Sequence, residues 1–239
     1  MRAPFLFLAL SISTVVQANP AVDQADVIWT SPSSGAAGSM PIGNGELVAN
    51  VWVEDKTGDL LILPARTDAL SETCRFLKLS RLRIHIDGNP FAGAKDFKQH
   101  LRLRDGVIHL TAGTHHVQVF ADSGADVLHI TGASAGPVTV AATIECWRDK
   151  EMEITDNSSW TTHGAPFRRT ESADVFVPEE KSVCWYHRNE SSVVPQLLET
   201  QSLVGAPGAF DPLLHRTFCG MLGGPGFIKS APDQRSLRL

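Results

Sequence analysis

Two stretches of the 239-residue sequence hold residue types able to do chemistry: "MPIGNGELVANVWV" from Met40 and "CWYHRNES" from Cys184. The second sets aromatic and polar groups side by side. On a strand, where successive side chains alternate between faces, Trp185, His187 and Asn189 share one face, with Tyr186 and Arg188 on the other. Aromatic rings beside hydrogen-bonding groups suit a sugar, which offers apolar ring faces and hydroxyl edges. Trp185, His187 and Arg188 are therefore candidate carbohydrate contacts, with Trp147 or Trp160 as possible additions. The alternative is a core tryptophan whose strand has a solvated opposite face.

In the first stretch, Gly43 and Gly45 permit backbone conformations that other residues resist, and Asn44 tolerates the left-handed region. A phosphate cradle needs a helix after its glycines. Here an apolar strand follows, so the expectation is a tight corner that starts a hairpin. Pro41 fixes one angle and Asn44 bonds its own backbone. Asn44 is the candidate contact at this corner if it faces a pocket. His115 and His116 point to opposite faces of any strand and do not share an ion easily. His85, His109 and His129 fall on separate strands, and a three-histidine site needs them in one register; solvated or satisfied histidines are the expectation, with no metal. Glycoside hydrolysis needs two carboxyl groups held across a bond. "EEK" at Glu179 and "DKE" at Asp149 read as solvated charge, and no acidic residue stands in a clearly apolar setting. No G-x-S-x-G elbow occurs. No catalytic residue is assigned and no cofactor is expected.

The elements that must position these residues are strands. "LRIHID" places Leu82, Ile84 and Ile86 on one face, and "VTVAATIE" does the same with Val138, Val140, Ala142 and Ile144. Such alternation belongs to an antiparallel sheet with one buried face. Four strands, about Gln99–Leu103, Val107–Ala112, His115–Ala121 and Asp126–Thr131, follow in a meander, joined at Asp105-Gly106, Gly113-Thr114 and "DSGA". A strand over Glu46–Glu54 pairs with Asp59–Leu63 across "DKTG". Helical signals are few: two turns from Pro195 and one turn near Ala94. From Trp147 to Lys181 the pattern fades into a long loop or a short strand pair with wide turns. The C-terminus reads as a strand, a Gly/Pro turn, another strand and polar chain, with a further strand beginning at Leu239 and an unpaired edge expected there. The fold class is all-β: an antiparallel two-sheet sandwich with one or two short helices.

Composition narrows the function classes. A formal net charge of -5 with scattered basic residues gives no footprint for nucleic acid or an anionic membrane surface. Met1–Ala18 has a basic residue, an apolar run and small residues at Val16 and Ala18, the layout of a secretory signal peptide. The mature domain is expected to span residues 19–239 and to be secreted or periplasmic. Cys74, Cys146, Cys184 and Cys219 allow three pairings, and the choice between one bridge and four free thiols stays open. "NSS" at Asn157 and "NES" at Asn189 fit the glycosylation sequon, which matters only in a eukaryotic host.

Four segments carry a resemblance: "VIWTSPSSGAAGSMPIGNGELVANVWVEDKTGDLLIL", "FLKLSRLRIHI", "VCWYHRNESSVV" and "LLHRTFCGMLGGPGF". They resemble the N-terminal region of the domain-of-unknown-function family 5703, over nearly all of Val27 to Phe227. That family is similar, more loosely, to the N-terminal β-domain of glycoside hydrolase family 95, the α-fucosidase-like enzymes, which also carry a "P-x-GNG" turn. The resemblance implies a supersandwich preceding a helical (α/α)6 barrel that bears the catalytic carboxylates. This sequence has no barrel, so no catalytic residue carries over, and the domain is expected to be truncated at its C-terminal end. The implied role is a non-catalytic module packing on such a barrel and shaping its pocket, with Asn44, Trp185, His187 and Arg188 as barrel-facing or carbohydrate contacts. The alternative is a free-standing carbohydrate-binding module.

Overall fold

The computed structural model describes residues 20–155, 167–230 and 235–239. The signal-peptide reading, Trp160 and Asn157 lie outside these residues. In chain order the strands are β1 (Val27–Trp29), β2 (Met40–Gly43), β3 (Leu47–Val53), β4 (Leu60–Leu70), β5 (Phe76–Lys78), β6 (Arg81–Ile86), β7 (Lys98–Arg102), β8 (Val107–Ala112) and β9 (His115–Ala121). They continue with β10 (Leu128–Ala133), β11 (Val140–Glu145), β12 (Met152–Glu153), β13 (Thr170–Glu171), β14 (Val175–Val177), β15 (Val183–Arg188), β16 (Thr217–Leu222), β17 (Ile228–Lys229) and β18 (Ser236–Arg238). The helices are α1 (Pro20–Asp23) and α2 (Val194–Thr200).

Two sheets make the sandwich. One runs β1-β7-β8-β9-β10. The other runs β17-β18-β11-β6-β4-β3-β2, with β5 on β4. The pairs within both are antiparallel. Alternation decides which face is buried. Ile108 and Leu110 of β8, Val117 and Val119 of β9, and Val51 and Ile62 of β3 and β4 meet in one core, each with at most 6% of its surface exposed. Burying these faces removes apolar surface from water at about 25 cal/mol per Å², which is the main attraction between the sheets.

The bounds of the meander strands β7 to β10 and of β3 fall within about two residues of those read from alternation, and the meander has the expected order, but β4 runs on to Leu70 where the strand was expected to end at Leu63. Gly113 has φ +55, as the β8–β9 turn needs. Pro195 stands in the first turn of α2, where its missing N–H costs nothing.

Two expectations are corrected. The segment near Ala94 forms turns and no helix: Gly93 takes φ +65 and breaks the helical path, and buried Phe97 meets Phe91 edge to face at 6.0 Å. The last strand is no open edge, because β18 lies between β11 and β17 and Leu237 is buried. Of the two readings of the polar stretch after Trp147, its described residues bear out the short strand pair: β12 pairs with β13, with Met152 opposite Glu171. A further three-stranded sheet, β14-β15-β16, follows it and carries the "CWYHR" residues on its central strand, with Asn189 just past its end.

Candidate functional site

An open apolar cleft of about 1280 Å³ lies where the two large sheets and the three-stranded sheet converge. Leu82, Ile84 and Ile86 of β6 and Ala142 and Ile144 of β11 line it. Leu128 and Ile130 of β10 line one side, and Trp185 with the β16 residues Phe218 to Leu222 another. Arg66, Asp68, Asp126, His115 and His116 add polar groups. Among the described residues both β10 and β16 are terminal strands of their sheets, with no described strand paired to their outer edges beside the cleft. Neither strand contains a proline, lysine, arginine or carboxylate, the residues that guard exposed edges.

Behind the cleft wall is a cluster of buried charge. β15 alternates, so Val183, Trp185, His187 and Asn189 all point inward. Val183 and Trp185 join the apolar core, whereas His187 and Asn189 need polar partners there. His187 Nδ1 stands 2.9 Å from Asp174 Oδ1, and its Nε2 3.2 Å from Glu72 Oε2. Arg148 donates to both Asp174 oxygens, at 2.8 and 2.7 Å. The side chains of Glu72, Asp174, His187 and Arg148 are each at most 3% exposed. Next to them Glu171, also buried, accepts from Thr73 and from two nitrogens of Arg75 at 2.9 Å. The turn Ser71–Arg75 between β4 and β5 supplies Glu72, Thr73 and Arg75. There Cys74 takes φ +61 and closes the turn to the Ser71 carbonyl.

Charge balance governs the cluster's protonation. Burial alone favours neutral His187, but Asp174 and Glu72 outweigh it and push its pKa up to about 9. Burial also works against ionised Asp174 and Glu72, yet both stay below the usual carboxylate range. His187 and Arg148 hold Asp174 down, and His187 with the Ser172 N–H holds Glu72 down. Cys146 donates to Asp174 at 3.0 Å, and burial with that carboxylate lifts its thiol to about 11. A general acid for glycoside cleavage needs a raised pKa and access to a bond. Glu72 and Asp174 have neither, so their arrangement suits a structural ion network.

The sequence candidates are dispersed. Trp185 is 7% exposed, and its Nε1 donates to the Leu79 carbonyl at 3.1 Å. Its ring covers Gly220, directly opposite on β16. His187 sits in the ion network. Arg188 is on the outer face, within 3.4 Å of the His215 carbonyl and the Thr217 hydroxyl. Trp147 is 45% exposed, with the Arg148 guanidinium 5.5 Å from its ring. Asn189 is fully buried, and its Nδ2 donates to the Leu70 and Leu213 carbonyls at 3.0 and 2.9 Å.

Asn44 lies at the corner between β2 and β3. Its Oδ1 accepts from the Glu46 and Leu47 N–H groups at 3.0 and 2.8 Å. Its Nδ2 donates to the Asp122 and Ala125 carbonyls, in the β9–β10 turn of the opposite sheet. The corner thus clips the two sheets together. Gly43 and Gly45 serve it differently. A Cβ on Gly43 would stand 2.8 Å from the Leu47 carbonyl, whereas Gly45 needs its φ of +101.

His85, His109 and His129 do not converge. His85 belongs to the larger sheet and meets Asp59 at 2.7 Å, whereas His109 faces His116 and His129 faces Asp122, both at 3.1 Å. All four cysteines are free thiols: Cys184 pairs with Met221 across β15–β16, and Cys219 with Tyr186. The sequence reading missed Glu72, Asp174 and Arg148. Its usable signal was the alternation of β15, which buries a histidine that must then find partners.

Residues 28–236 match the family described as Domain of unknown function (DUF5703), and the chain belongs to that family. No curated protein matches it.

Proposed function

We propose that this DUF5703 domain is a non-catalytic β-sandwich module of a secreted glycoside-hydrolase-like protein, and that its open cleft seats against a helical barrel domain whose pocket it helps to shape. The observation that carries this reading is the apolar cleft of about 1280 Å³ flanked by β10 and β16, the terminal strands of their sheets among the described residues. Exposed apolar surface of this kind beside unguarded edges marks an interaction site. The engagement of the buried carboxylates in ion pairs supports a scaffold role over a catalytic one.

The test supplies a helical barrel polypeptide of the family as a separate chain and follows association by sedimentation velocity. Met221 on β16 lines the cleft and is 73% exposed, so Met221→Asp leaves the core alone. The parent chain is expected to form a complex, and Met221→Asp to weaken it at least tenfold with unchanged thermal unfolding of the isolated chain. Absence of a complex with the parent overturns the reading. So does turnover of aryl glycosides by the isolated chain. Binding of free oligosaccharides by the isolated chain, with no affinity for the barrel, transfers the assignment to a carbohydrate-binding module.

A further inference from the structure

We propose that the proton on His187 is a buried latch: while both ring nitrogens carry hydrogen, the turn Ser71–Arg75 and the segment Ser172–Asp174 are fastened to β15, and loss of that proton releases them and loosens the wall of the cleft.

The argument is geometric. Each nitrogen of the His187 ring faces a carboxylate oxygen, at 2.9 and 3.2 Å. An ionised carboxylate only accepts hydrogen bonds, so both nitrogens must donate, and only the imidazolium has two N–H groups. A neutral ring would set one lone pair against a carboxylate with no water between them, in a place where neither can be resolvated. The charge count agrees. Among the described residues, Glu72, Asp174 and Glu171 are ion-paired with Arg148, Arg75 and His187, three carboxylates against three cations when His187 is charged.

The latch joins parts of the chain far apart in sequence. Glu72 sits in the β4–β5 turn, and its other oxygen accepts from the Ser172 N–H at 2.9 Å. Its backbone carbonyl accepts from Val193 N at the start of α2. Asp174 immediately precedes β14, and its N–H donates to the Arg148 carbonyl. Arg148 in turn donates to the Lys78 and Leu79 carbonyls. The Leu79 carbonyl also holds Trp185, and Leu79 and Trp185 both line the cleft. A proton two residues along β15 from Trp185 therefore bears on the cleft through a continuous chain of hydrogen bonds. The groups around the ring are Glu72, Asp174 and Arg148, with Cys146 on Asp174 and the Glu171–Arg75 pair behind the turn; the pKa of about 9 places the release on the alkaline side.

The experiment is histidine-selective ¹³C NMR of the whole chain between pH 6 and 10.5, with backbone amides followed in parallel. The His187 ring signal is identified by its absence from His187→Gln. In the parent that ring is expected to titrate between pH 8 and 10, and the Glu72, Ser172 and Val193 amides to shift with the same midpoint. Tyr186→Phe, which removes the one tyrosine, leaves the midpoint in place. Glu72→Gln replaces one carboxylate by a neutral amide and is expected to lower the midpoint by at least one pH unit, that is, tenfold in proton affinity. It serves as the folded probe if His187→Gln does not fold, the ring then being assigned through its contacts to Asp174. A His187 ring that titrates between pH 5 and 7, amides that do not follow it, or a midpoint unmoved in Glu72→Gln each overturns the proposal.

Discussion

Replacing Gly220 with alanine is expected to destabilise the domain by about 2–4 kcal/mol, composed of about 1–3 for overpacking and about 1 for a strained or broken hydrogen bond. Gly220 lies directly opposite Trp185 in the β15–β16 ladder. A Cβ there would stand 2.3, 2.5 and 2.8 Å from Cζ2, Cη2 and Cε2 of the indole. These are ring atoms, and the ring cannot swing away freely because its Nε1 is tied to the Leu79 carbonyl. Gly220 is not among the residues with positive φ, so the cost comes from the contact and not from the backbone. Urea unfolding of the parent and of Gly220→Ala measures it, as a shift in midpoint at constant slope. The same change made in a Trp185→Phe background is the control. Phenylalanine lacks the outer indole ring, so alanine should then cost less than about 1 kcal/mol, leaving a coupling of about 1–3 kcal/mol between the two sites. A Gly220→Ala protein within about 0.5 kcal/mol of the parent, or a cost equally large without the indole, refutes the claim that Trp185 is seated by the missing Cβ.

Asn44→Ala removes all four hydrogen bonds of the corner clip and should cost about 1–3 kcal/mol, read by thermal unfolding; a loss below about 0.5 kcal/mol would mean that the clip is idle. Gly45→Val forces a β-branched residue to φ +101 and should cost about 1–3 kcal/mol although nothing crowds the site; equal stability in the variant would show that the corner relaxes. Asp174 and Glu72 have folded pKa values below their unfolded ones, so they add stability above the unfolded carboxylate range, about pH 4, and lose it as pH falls through the lower folded values. Acid unfolding of Asp174→Asn, compared with the parent, should show a shallower pH dependence below that range. Exported protein is expected to begin near Asn19, and N-terminal sequencing that finds Met1 on exported material counts against a cleaved leader.

The strands were legible because their evidence is local. Alternation in "LRIHID" and in "VIHLTA" names both the element and its buried face, and Gly113 marks the turn within the same few residues. The ion network was illegible for the opposite reason. Glu72, Arg148, Asp174 and His187 span 115 positions, and each sits in an ordinary polar neighbourhood: "LSETCR", "CWRDKE", "ESADVF" and "YHRNES". Only three-dimensional pairing turns these into buried partners. Asn44 was half legible. Its bonds to its own turn follow from residue type, but its reach to the Asp122 and Ala125 carbonyls depends on how the sheets stack, about eighty residues away.

The burial of Asn189 bears on how the chain can be made. Its side-chain nitrogen, the atom to which a glycan would be joined, is already divided between the carbonyls of Leu70 and Leu213, and no surface of the residue is exposed. In a eukaryotic host the sequence "NES" nevertheless presents an acceptor to an oligosaccharyltransferase that meets the chain before it folds. Sugar added at that moment could not be accommodated afterwards, because the amide would have to leave both carbonyls and drag a large hydrophilic group through the interior. Folding and glycosylation at this position are therefore mutually exclusive events in time. In a host that glycosylates nascent chains, Asn189 would make the domain a recorder of its own biosynthetic route: folded material would carry a bare Asn189, and chains modified before folding would be unable to close this end of β15.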